Sequence, residues 1–125
     1  MSSLRVQRVA SLLQRELADV LQREFGDQLP PMITVTGVDP TRDLSIARVY
    51  VSIYGAPEQR RMAFRRLEEL TPQIRAALAR RIRHQMRFMP ELRFVLDETI
   101  ERAQRVEELL SRIQEERARR EGSAS

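Results

Sequence analysis

Few residues in this chain could carry acid–base, nucleophilic or ligand chemistry, and their spacing decides what each can do. His84 is the only histidine and there is no cysteine, so thiolate catalysis, disulfides and cysteine metal sites are excluded. His84 stands in RRIRHQMRF, a setting that suits a solvated helix position or a neighbour of phosphate. A catalytic base would need a nucleophile and a third group to orient it, and neither accompanies it. Asp39 and Asp43 could form a pair of acids. In the segment DPTRD, however, an aspartate commonly bonds the backbone of its own turn, and that reading is preferred. Neither a Gly-x-x-x-x-Gly-Lys-Ser/Thr loop nor a Gly-x-Gly-x-x-Gly loop occurs, which removes nucleotide hydrolysis and dinucleotide binding. The expectation is a protein that is not an enzyme and uses no cofactor or metal.

The remaining chemistry is that of arginine. All 22 basic residues are arginine against 18 acids, for a net charge of +4. Residues 1–59 hold six arginines and seven acids (−1), residues 60–93 ten and three (+7), and residues 94–125 six and eight (−2). A local excess attracts polyanions, and the planar guanidinium can grip phosphate with two hydrogen bonds. Arg75, Arg80, Arg81, Arg83 and Arg87 fall at helical spacings that place several on neighbouring rows, beside a helix start at Thr71-Pro72 whose free amides also favour anions. Arg5 and Arg8 add charge from the N-terminal segment. These seven are the candidate phosphate-binding residues, with nucleic acid preferred over an acidic membrane surface. The competing reading is a solvated helix face. Tyr50 and Tyr54 share one face of a predicted strand, where they serve either half-buried packing, the commoner use, or base stacking.

The elements that must position these residues follow from periodicity. Val6, Val9, Ala10, Leu13, Leu17, Val20 and Leu21 recur at spacings of three and four, predicting an amphipathic helix over Leu4–Phe25, with Ser3 as its cap and Gly26 as a left-handed closing residue. MITVTGV (Met32–Val38) and IARVYVSIY (Ile46–Tyr54) read as strands joined by DPTRD in a hairpin. Pro57 opens a helix carrying Met62, Ala63, Leu67 and Leu70 on its apolar side. Thr71 can cap a second helix, and Pro72 fits its first turn but would break the interior of a continuous one, so a kink is predicted between them. The second helix runs toward Met89 and must end before Pro90. Leu92–Leu96 reads as a third strand, and Ile100, Ala103, Val106, Leu110 and Ile113 return to helical spacing. Glu101, Glu107 and Glu108 alternate with Arg102, Arg105 and Arg112 there, as on a solvent-facing helix.

At 125 residues the chain has the size of one domain, and 42% hydrophobic with 32% charged residues is the balance of a globular protein. The domain is expected over residues 1–114 and a disordered tail over 115–125. No apolar run is long enough to span a membrane, and the N-terminus does not read as a signal peptide, so a cytoplasmic protein is expected. The order αββααβ plus a C-terminal helix matches a type II KH fold, an α+β arrangement with helices on one face of a three-stranded sheet.

Several separated segments together resemble the ribosome-binding factor A family. They are Arg5-Val6 with Arg8-Val9-Ala10; Asp43-Leu44-Ser45 leading into Ala47-Arg48-Val49-Tyr50-Val51-Ser52; Ile74-Arg75; and Pro90-Glu91-Leu92-Arg93-Phe94 with Asp97. The resemblance implies a KH-like protein that binds the free small ribosomal subunit, contacts 16S rRNA and neighbouring ribosomal proteins, and assists late maturation and processing of the rRNA 5′ end without catalysis. That family replaces the KH Gly-x-x-Gly loop with a helix kink, commonly Ala-x-Gly. Here the junction reads Glu69-Leu70-Thr71-Pro72, with proline in place of glycine as the source of the kink. A monomer is expected. The alternatives are a protein-interaction module with solvated arginines, or a general RNA- or DNA-binding domain with no ribosomal role.

Overall fold

The computed structural model describes residues 3–30 and 32–123; Pro31, in the predicted turn, lies outside them. The chain forms α1 (Leu4–Glu24), β1 (Ile33–Pro40), β2 (Ile46–Ile53), α2 (Pro57–Glu69), α3 (Thr71–Ile82), β3 (Glu91–Leu96) and α4 (Thr99–Ser123). This is the expected KH-like α+β order. The Ser3 hydroxyl caps α1 by accepting from the Val6 amide at 3.2 Å.

The sheet runs β1-β2-β3, with β1 antiparallel and β3 parallel to the central β2. Alternation in β2 buries Ala47, Val49, Val51 and Ile53 and leaves Arg48 exposed on the opposite face. The buried set meets Leu13, Leu17 and Val20 of α1, Leu67 of α2, and Ile74, Leu78 and Ile82 of α3 in one core. All three helices therefore lie on the same face of the sheet. A register shift between Val35 and Gly37 bulges β1. The bulged Thr36 donates its hydroxyl to Asp97 Oδ2 at 2.8 Å, joining one edge strand to the end of the other across β2.

The α2–α3 junction is sharper than a loop. Leu70 (φ −85°, ψ −3°) ends one helix and begins the next, and Pro72 stands in the first turn of α3. Thr71 does not cap α3 as expected. Its hydroxyl donates back to the Leu67 carbonyl of α2 at 3.0 Å, tying the start of α3 to the last turn of the helix before it. Gly26 also differs from expectation, because positive φ among the described residues occurs at Gly55 and Leu44. Gly26 answers a spatial demand instead: a Cβ there would lie 2.5 Å from the Gln22 carbonyl oxygen. Met62, assigned to the apolar side of α2, is 72% exposed.

Two boundaries move. α3 ends at Ile82 and not near Met89, since the chain must turn back to start β3 beside β2, where the Glu91 amide bonds the Ser45 carbonyl at 2.9 Å. At the other end α4 remains helical through residues 115–123, where a disordered tail was expected, and its described side chains from Glu107 to Arg120 are exposed. Glu115 and Arg119 form an i,i+4 pair at 3.7 Å that supports this stretch. The side chains of Ile100, Glu101, Arg102, Ala103, Arg105 and Val106 lie outside the described residues.

Gly26→Ala should destabilise the protein in urea unfolding although alanine is the better helix former, because the methyl must displace backbone. Leu17→Ala, at a fully buried core position, should lose about 2–5 kcal/mol in the same measurement.

Candidate nucleic-acid interface

The seven candidate arginines divide according to whether the fold already uses them. Arg75 donates from Nη2 to the Met89 carbonyl at 2.7 Å and from Nε to the Pro90 carbonyl at 3.0 Å. It thereby fixes the segment leading into β3. Arg81 reaches across to α1, donating to Asp19 and to Glu24 at 3.2 Å, with Glu16 at 3.7 Å. Arg80 lies 3.9 Å from Glu24, while Arg23 pairs with Asp19 at 2.8 Å. The basic ridge expected along α3 is thus partly neutralised by acids of α1, and Arg81 joins the two helices.

Arg5, Arg8, Arg83 and Arg87 are exposed and have no ion-pair or hydrogen-bond partner among the described residues. Arg83 and Arg87 lie beyond α3, in the connection to β3. The fold brings Arg5 and Arg8, on the first turns of α1, together with Arg87 around one cleft of about 350 Å³. Leu44 and Asp43 of the β1–β2 turn line the same cleft. That turn is built by Asp43, whose Oδ1 accepts from the Thr41 hydroxyl at 2.8 Å, the Ser45 hydroxyl at 2.8 Å and the Ser45 amide at 3.1 Å. The hydrogen bonds from Ser45 and Thr41 hold the Asp43 carboxyl below its ordinary range. The expected role of Asp43 as a turn former is what the geometry displays. Asp39 stands apart in β1, opposite Arg48 of β2.

Sequence reasoning missed Phe88, which lines the cleft and is 78% exposed. Its placement next to Arg87 and just before the helix-breaking Met89-Pro90 was the available signal, hidden while this segment was read as helix. Of the two tyrosines, Tyr50 is half-buried and Tyr54, just past the end of β2, is 80% exposed. His84 is exposed, and no metal-binding group of acids and histidine exists among the described residues. No helix among them is long and apolar enough to cross a membrane.

A three-stranded mixed sheet covered on one face by α1 and a proline-kinked helix pair, with unpaired arginines at one end, defines a KH-like domain. The family model for ribosome-binding factor A matches residues 5–110. This chain belongs to the ribosome-binding factor A family. It is 49% identical over 119 residues to ribosome-binding factor A of Pelodictyon phaeoclathratiforme, covering 93% of this chain and 97% of that one. With the Chlorobium luteolum protein it shares 46% identity over 114 residues, 91% of this chain and 95% of the other. The crystal structure of ribosome-binding factor A from Thermus thermophilus superposes with a TM-score of 0.60 at 31% identity, covering 73% of this chain and 94% of that one. A homology model of the Thermus thermophilus protein, as fitted into the cryo-EM map of a 30S–RbfA complex, gives 0.57 at 33% identity over 70% and 90%.

The Arg81 hydrogen bond is the largest influence holding the Asp19 carboxyl below its ordinary value of 3.8. Because folding lowers this pKa, the stabilisation it brings is complete above pH 3.8 and is lost as the pH falls through the lowered value. Arg81→Ala should therefore melt at a lower temperature at neutral pH and lose less on acidification. The Asp43 turn titrates alike in both proteins, so the difference between their melting curves across pH isolates the α1–α3 pair.

Proposed function

We propose that this protein binds the free 30S subunit, touching 16S rRNA and neighbouring ribosomal proteins, and assists late maturation of the subunit and processing of the 16S rRNA 5′ end. It acts as a cytoplasmic monomer, without catalysis or cofactor. The single observation that carries this reading is family membership over nearly the whole chain, joined to a Thermus thermophilus relative whose homology model was fitted into the cryo-EM map of a 30S complex.

The exposed arginines supply a physical route. Arg5, Arg8, Arg83 and Arg87 are the direct phosphate contacts, available without breaking any ion pair among the described residues. Arg75, Arg80 and Arg81, placed in the same candidate set by the sequence, contribute mainly by holding α3 and the loop after it in position. Residues 1–114 form the domain, and residues 115–125 are an appendage to it.

Co-sedimentation with 30S, 50S and assembled ribosomes tests this reading. The protein should pellet selectively with 30S and detach as salt rises, since each neutralised phosphate releases counterion. Reversing Arg5, Arg8 and Arg87 together to glutamate should weaken binding at least tenfold and flatten the dependence of log affinity on log salt by roughly 0.7–0.9 per contact removed. The circular-dichroism melt should stay unchanged. In cells depleted of the protein, unprocessed 16S 5′ ends should accumulate and be less well rescued by this variant. Equal pelleting with all three particles would overturn the proposal.

A further inference from the structure

We propose that the cleft between the start of α1, the β1–β2 turn and the segment after α3 holds one unpaired nucleotide of single-stranded RNA, its base stacked on Phe88 and its phosphates held by Arg5, Arg8 and Arg87. The proposal rests on the RNA-binding reading above and deepens it, since it specifies single strand and a stacked base where that reading requires only phosphate.

Phe88 is displayed by its surroundings. On either side of Arg87 and Phe88, Met86 and Met89 pack against the core. The segment is tied at one end by the Met86 amide bonding the Ile82 carbonyl at 3.0 Å and at the other by Arg75 on the Met89 and Pro90 carbonyls. A chain pinned this way keeps the intervening aromatic ring outward at little further entropic cost. The opposite wall is also preset: Leu44 adopts φ 60°, and its amide bonds the Thr41 carbonyl at 2.9 Å. Such a conformation is uncommon for a leucine and is retained here by the Asp43 turn.

The lining chemistry selects the ligand. Three arginines attract anions, while Leu44, Val9 and Phe88 offer an apolar surface for a flat ring. The Asp43 carboxylate on the same wall disfavours filling the cleft with phosphate alone, so the fitting ligand is part anion and part neutral ring. Within a duplex the base faces are covered by their neighbours; a single strand can present one to Phe88.

The chain contains no tryptophan, so Phe88→Trp introduces a single fluorescent reporter at an exposed position where folding is indifferent to the change. Short unstructured oligoadenylate and oligocytidylate should quench it saturably and salt-dependently, while an RNA duplex of equal length should not. Tyr54→Trp, a reporter elsewhere on the surface, should stay unquenched. Adding Arg5→Glu and Arg8→Glu should abolish quenching in the Phe88→Trp protein. Phe88→Ala should weaken oligonucleotide binding by about five- to a hundredfold. Absence of quenching, equal quenching by duplex, or equal response at Tyr54→Trp would overturn the stacked-nucleotide site. If 30S co-sedimentation persists in that case, the functional reading stands and only this inference fails; loss of co-sedimentation by the unaltered chain would instead overturn the functional reading.

Discussion

The parallel pairing of β3 with β2 is the constraint on which the rest of the architecture depends. Parallel neighbours cannot be joined by a tight turn, so the chain must leave β2, cross the sheet and return to the same end. Two helices fill that crossing, and since β2 is buried along the whole of its inner side, both must present apolar residues to it. A straight helix of their combined length would overshoot the sheet. Pro72 divides it, and each half then has its own direction while Leu67, Ile74 and Leu78 converge on one core. The return also explains Arg75, which holds the backbone entering β3 through two carbonyls where no regular structure could satisfy them.

Much of this was legible in the sequence because it is local. The apolar spacing of α1, the alternation in β2 and the proline at the kink each act within a few residues, and those elements stand within one or two residues of where their patterns place them. What was illegible depended on residues far apart in the chain. Nothing near Arg81 reveals that Asp19, 62 positions away, faces it, so a segment rich in arginine read as an open ridge when part of it is a helix-to-helix tie. The end of α3 was missed for a related reason: the residues after Ile82 have adequate helical character, and only the location of β3 forces them to turn. That error concealed Phe88.

The candidate site shows the same division. Its residue types were evident, since arginine without lysine over a short basic stretch is visible in composition alone. Which arginines are available was not. Arg5, Arg8 and Arg87 meet only because the N-terminus of α1, the hairpin turn and the connection after α3 arrive at the same end of the sheet, a consequence of strand order and not of any motif.

The acids of α1 that face Arg80 and Arg81 decide where this pair of helices keeps its positive charge. Glu16, Asp19 and Glu24 offset positive charge along the helical seam, while Arg5 and Arg8, where α1 begins, and Arg87 beside them keep theirs. Charge clustered in this way draws that end toward a polyanion as the two approach. Orientation is then set during approach, which leaves less of the encounter to chance collision.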